Sequence, residues 1–131
     1  MWNLFLDDLR APANAVNPLG VTKWVVARSV PQARELVAIR GAPTVVSFDH
    51  DLGHEEGNDG YEFAKWLVER DLDAVERHKD FLSPDFKFQV HSANPIGAKN
   101  IEELLNNWLC YKHTITESEL LTLKELLKEI P

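Results

Sequence analysis

The chain has a single cysteine, Cys110, which excludes an intramolecular disulfide framework. No apolar run approaches the roughly 18 residues of a membrane span, so no membrane partner is expected. Positive charge is in deficit: 14 Lys+Arg face 21 Asp+Glu, for a net charge of -7. An overall positive field for duplex DNA is therefore absent. The stretch from Met1 to Arg10 lacks a basic segment followed by an apolar one, so no secretion signal is visible and a cytoplasmic protein is expected. No repeat or low-complexity segment interrupts the chain. What is present is ordinary globular composition, 44% hydrophobic and 27% charged over 131 residues. That is one domain, long enough to bury a core without disulfide or metal staples.

Short apolar runs alternate with longer helical patterns, the rhythm of an α/β domain. Trp2 to Leu6 reads as a first strand that stops abruptly at Asp7-Asp8. Arg10 to Lys23, with Pro12, Pro18 and Gly20, reads as loop rather than helix. Trp24 to Ala27 is a second strand. Ser29, Pro31 and Gln32 then open a capped helix that Gly41 stops. Thr44 to Phe48 is β-branched and apolar, a buried strand ending in Asp49-His50-Asp51. Gly53 to Gly60 is an acidic loop. A helix is expected from about Asp59 to Arg70, and the strongly charged stretch from Arg70 to Asp85 reads as a continuation of that helix followed by a loop. Phe86 to Val90 is the fourth strand, ending in His91-Ser92-Ala93-Asn94-Pro95. Ile101, Leu104, Leu105, Trp108 and Leu109 have amphipathic helical spacing. A box from Thr116 to Glu119 opens a last helix whose stripe is Leu120, Leu123, Leu127 and Ile130. Trp66 and Trp108 are expected in or near the core, and Cys110 is expected to pack there.

Three of the four strands end in chemically capable side chains. In an open parallel sheet, sites lie outside the carboxyl ends of the strands, at the topological switch point. A parallel sheet would bring these clusters to one edge. Asp7, Asp8, Asp49 and Asp51 would then crowd up to four carboxylates together, and like charges that close need neutralising. A hard divalent cation, Mg²⁺ or Mn²⁺, would do so. The ordinary alternative for each Asp is a turn or a helix cap. His50 and His91 are candidate acids or bases for the two sides of a phosphoester displacement. For either, a hydrogen-bonded structural role is the alternative, and strand alternation can turn His50 away from Asp49 and Asp51. Arg10 and Arg28 suit phosphate recognition, with surface ion pairing as the alternative. Ser92 and Asn94 would donate to phosphate oxygens or cap the helix that follows. His54, His78 and His113 read as solvated surface.

Leu4-Phe-Leu-Asp-Asp-Leu-Arg10 with Pro12, Val26-Ala-Arg28-Ser, Ser47-Phe-Asp-His-Asp-Leu-Gly53, and Val90-His-Ser-Ala-Asn-Pro-Ile-Gly97 with Asn100-Ile101 together form a specific set. On these motifs, which run from about residue 3 to 105, the chain resembles the cyclic-phosphate processing receiver-like domain family. The resemblance implies a single receiver-like, flavodoxin-type three-layer α/β domain with a mainly parallel sheet of four to five strands. That domain would span 1–113, with a C-terminal helical extension, 114–131, packed on it. Response-regulator receivers are the wider relatives. On their pattern Asp7 and Asp8 resemble the metal-binding acidic pair, Asp49 the phospho-accepting position, and Ser92-Ala93 the small hydroxyl pair. Two departures stand out. No Lys-Pro ends a fifth strand, since Lys112 is not followed by Pro, and a loop replaces the first helix.

The function expected from these residues and that resemblance is metal-dependent phosphoesterase processing of a cyclic phosphate, on an RNA end or a cyclic nucleotide, in an RNA repair setting. His91, His50 and Asp49 would be catalytic. Arg10, Arg28, Ser92 and Asn94 would bind substrate, and Asp7, Asp8, Asp49 and Asp51 would hold the metal. Two alternatives stand beside it: a non-catalytic module binding a nucleotide or protein, and a signalling receiver phosphorylated on Asp49. A monomer or weak dimer is expected.

Overall fold

The computed structural model describes residues 1–51, 59–92 and 94–129. Most of the acidic loop with His54, Ala93 of the fourth-strand motif, and Ile130 of the last stripe lie outside the described residues.

Four strands form one sheet: β1 (Asn3–Leu6), β2 (Val25–Ala27), β3 (Val45–Phe48) and β4 (Lys87–Val90). Their order is β2-β1-β3-β4, and every neighbouring pair is parallel. The chain steps outward from β1 to β2, then crosses to the other side of β1 to place β3. The switch point therefore lies between β1 and β3.

Four helices follow the sequence signals closely. In α1 (Val30–Arg40), the Ser29 hydroxyl accepts from the Gln32 N–H at 3.2 Å. Gly41 ends that helix with φ 81, a left-handed conformation that favours glycine. α2 (Gly60–Glu76) is capped by Asp59, which accepts from the Glu62 N–H at 2.8 Å. α3 (Pro95–Tyr111) is capped by Asn94, with Pro95 in the first turn. α4 (Glu117–Glu129) opens on the expected box, Thr116 Oγ1 accepting from the Glu119 N–H and donating to the Glu119 carboxylate.

Leu4, Leu6, Val46 and Phe48 project from one sheet face and are fully buried. Phe48 meets Phe63 of α2, and α1, α2 and α3 pack side by side in this layer. The opposite face carries Phe5, Ser47 and Gln89. It is covered by the irregular segment after β1, which holds one 3-10 turn at Pro12–Asn14. Trp24 packs edge-on against Phe5, and the Leu19 N–H donates to Gln89 Oε1 at 3.1 Å.

α2 continues well past Arg70, because the charged stretch hides an inward position. Asp71 is fully buried. Its carboxylate accepts from the N–H groups of Phe81 and Leu82, from Trp108 Nε1 at 2.9 Å, and from Lys112 Nζ at 2.7 Å. Lys112 is itself buried and reaches Asp80 at 3.0 Å. α4 lies on α2, with Leu120 and Leu127 buried and Lys124 bonded to Glu76 at 2.6 Å. Cys110 is exposed, which corrects the expectation that it packs in the core. Trp108, two residues earlier, takes the inward position on α3.

Candidate functional site

The site follows from register and alternation. Phe5 pairs with Ser47, and Ser47 with Gln89. The same offsets carry Asp7 to Asp49 and to His91. The ladder extends to that rung: the N–H of Asp7 donates to Ala27 O, that of Asp49 to Leu6 O, and that of His91 to Phe48 O. Side chains two residues apart share a face, so all three project on the Phe5–Ser47–Gln89 side. One ligand atom from each of Asp7, Asp49 and His91 lies within 4.8 Å of the other two, and all three residues are buried.

Each group has a defined electrostatic state. Burial pushes the Asp7 carboxyl up, but the N–H groups of Arg10 and Leu9 and the His91 ring outweigh it, so it lies below the usual carboxylate value. Asp7 Oδ1 accepts from Arg10 N at 2.7 Å and Leu9 N at 2.9 Å. Asp49 goes the other way: burial and the neighbouring Asp7 charge hold it above the usual value, despite help from His91, Ser92 and the His50 N–H. Burial also lowers the His91 imidazole, against the opposing pull of Asp7 and Asp49. The His91 ring stacks on Phe5 with centroids 4.4 Å apart and 6° between planes. Its Nε2 lies 3.0 Å from Asp7 Oδ2 and its Nδ1 2.7 Å from Ser47 Oγ.

The remaining expected residues divide. Asp8 and Asp51 do not belong to the close group; Asp51 is exposed and Asp8 half-buried. His50 turns toward the helix layer. Its Nδ1 sits 2.9 Å from Asp51 Oδ1, and it is not one of the close group of Asp7, Asp49 and His91. Strand alternation no longer applies there, because β3 ends at Phe48. The His50 ring rests on Gly97, where any Cβ would collide with it. Gly60 is required for a different reason: a Cβ there would strike the Asp49 carbonyl.

The two arginines brace the edge. Arg28 Nη1 donates to the carbonyls of Arg10 at 2.7 Å and Asp7 at 3.1 Å. Arg10 Nη1 donates to His91 O at 3.0 Å. Ser92 bonds Asp49 and accepts from the Asn94 N–H at 3.1 Å, while Asn94 accepts from the Gly97 N–H at 3.0 Å. Both shape the turn that starts α3. His78 and His113 are exposed.

Ser47 and Gln89 are further site residues, buried and polar inside otherwise apolar strands. Their signal was a polar side chain at an inward position in Val45-Val-Ser-Phe48 and Lys87-Phe-Gln-Val90.

The two carboxylates, Asp7 and Asp49, offer the oxygen ligands that suit Mg²⁺ or Mn²⁺. Asp49, held above its ordinary value by burial and then by the adjacent Asp7 carboxylate, is a group that a cation would relieve.

Compared with known families, the chain matches the cyclic-phosphate processing receiver domain over residues 2–107. No curated protein and no solved structure matches it.

Proposed function

The chain belongs to the cyclic-phosphate processing receiver domain family, and on that premise we propose that it hydrolyses a cyclic phosphate ester, carried by a nucleotide or an RNA end, at the β1–β3 switch point. The observation that carries this reading is the single rung of Asp7, Asp49 and His91, with their ligand atoms within 4.8 Å. Asp7 and Asp49 would supply the oxygen ligands of a divalent cation. Such an ion neutralises phosphoryl oxygens and acts as a Lewis acid toward them.

The chain's own groups account for the rest. Arg10 and Arg28 place two guanidinium groups at this edge, which favours an anionic ligand. The N-terminus of α3 lies at the same edge and adds partial positive charge. Ring opening forms a P–O bond to water and breaks one to the sugar. The proton lost by the water passes to the surrounding solvent, and one must reach the departing alkoxide. We assign proton delivery to His50, whose side chain is 20% exposed and is oriented by Asp51. His91, with a side chain at 0% exposure and both ring nitrogens bonded within the protein, serves as a support for Asp7.

A phosphorelay role would need a lysine beside Asp49. Lys112 is bonded to Asp71 and Asp80 instead.

The test is a panel of 2′,3′-cyclic and 3′,5′-cyclic nucleotides and an oligoribonucleotide with a cyclic phosphate end, followed by phosphorus NMR with Mg²⁺, with Mn²⁺ and with EDTA. The expected result is metal-dependent ring opening of at least one substrate, abolished by Asp49→Asn. No opening of any substrate with either metal would overturn the reading.

A further inference from the structure

We infer that Ser47 and Gln89 are positioning residues of this site: through a one-way chain of hydrogen bonds they hold His91 with its proton on Nε2, aimed at Asp7. The chain begins in the segment that covers this sheet face. The Leu19 N–H donates to Gln89 Oε1 at 3.1 Å, which fixes the oxygen side of the amide. The nitrogen side then points to acceptors: Ser47 Oγ at 3.1 Å, Asn17 Oδ1 at 3.3 Å and Val16 O at 3.4 Å. No flipped amide satisfies these partners, because it would set an N–H against an N–H and an oxygen against carbonyls.

Ser47 Oγ therefore accepts from Gln89. A hydroxyl has one proton to give, and His91 Nδ1 lies 2.7 Å away. On the other side of the ring, Nε2 faces the Asp7 carboxylate at 3.0 Å. A lone pair there would oppose an acceptor, so Nε2 carries the proton and Nδ1 accepts from Ser47. Asp7 Oδ1 is held in turn by the N–H groups of Leu9 and Arg10. From Leu19 to Asp7 each link donates in one direction, and the Leu9 and Arg10 N–H groups donate to Asp7 from the other side. Ser47 is fully buried, and Gln89 and His91 are nearly so, which makes a missing partner costly.

The consequence is a division of labour. His91 orients the Asp7 carboxylate and packs on Phe5 rather than handing a proton to substrate. Ser47 and Gln89 act through it. The segment with Asn17 and Leu19, which takes the place of a helix after β1, is what locks the far end. The tautomer itself stands without the proposed activity; only the metal arm of the test rests on that reading.

The experiment is long-range ¹H–¹⁵N NMR of the imidazoles in the metal-free protein at neutral pH, for wild type, Ser47→Ala, Ser47→Thr and Gln89→Met. In the wild type His91 should be protonated on Nε2, with Nδ1 at the shift of a hydrogen-bonded acceptor. Ser47→Ala should move Nδ1 toward the shift of an unbonded acceptor, and Ser47→Thr should restore it. Gln89→Met should broaden or split the His91 signals, because the Ser47 hydroxyl is no longer held. Mn²⁺ affinity should fall about 10-fold in Ser47→Ala and recover in Ser47→Thr, as for other partners that orient a ligand group. A wild-type proton on Nδ1, or an Nδ1 shift unmoved by Ser47→Ala, would overturn the inference. So would transfer of the His91 proton to Nδ1 on adding Mg²⁺, which would make the ring a metal ligand. Absence of any metal response with the expected tautomer would instead count against the proposed function alone.

Discussion

Asp49→Asn keeps the shape of the side chain and removes one charge. The ligand atoms of Asp49 and Asp7 lie within 4.8 Å, and at an effective dielectric constant of about 20 two unit charges at that distance repel by about 3 kcal/mol. The amide loses part of the bonding that Ser92 and the His50 N–H give the carboxylate, a loss of about 1–2 kcal/mol. The metal-free variant should thus be more stable than wild type by about 1–2 kcal/mol, or about 4–8 °C for a domain of this size. A cation reverses the order. At a hundredfold excess over its Kd it stabilises the wild type by about 2.7 kcal/mol and should do little for the variant. The sign with pH is also set. The folded pKa of Asp49 lies above that of the unfolded chain, so protonation favours the fold, and the variant's advantage should vanish as the pH falls through that raised value. Thermal melts of both proteins in EDTA and in Mg²⁺, at several pH values, would show the curves crossing. A metal-free variant less stable than wild type, or equal metal stabilisation of both, would refute the reasoning.

Burial of His91 as a neutral ring means that the unfolded chain binds a proton more readily than the fold; the stability it confers should be complete above pH 6.5 and be lost as the pH falls through its lowered value, a slope that urea melts should find reduced in His91→Gln. Lys112→Met leaves the Asp71 charge buried without its cation, and should cost about 3–5 kcal/mol in chemical denaturation while sparing the distant site; a loss under 1 kcal/mol would show that the N–H donors alone hold Asp71. Gly97→Ala displaces the His50 ring, so turnover should drop by about 10²-fold with a small change in melting. Gly60→Ala, meeting the Asp49 backbone, should lower the melting temperature markedly; equal melting effects of the two would contradict the contacts assigned to them.

The strands, the caps at Ser29, Asn94 and Thr116, and the convergence of Asp7, Asp49 and His91 were legible because each depends on local pattern or on one rule of parallel sheets. Separating Asp7 from Asp8 required the register, which alternation alone does not supply. Ser47 and Gln89 were hidden by their apolar neighbours in short strands. The burial of Asp71 on the continuation of α2 was hidden because Asp71 resembles solvated charge. Its partners Trp108 and Lys112 come from the far end of α3, a pairing that no local pattern announces. The contact of His50 with Asp51 lay beyond the alternation rule because the strand had ended, and its contact with Gly97 depends on how α3 approaches the sheet.

The central claim is tested most directly by phosphorus NMR of 2′,3′-cyclic AMP incubated with the wild-type protein and Mg²⁺ in ¹⁸O-labelled water. The proposed function predicts a monoester carrying one ¹⁸O on phosphorus, formed by wild type and not by Asp49→Asn. An intact cyclic phosphate, in a protein whose melting temperature Mg²⁺ still raises, would contradict it and leave a metal-holding module that binds without turnover.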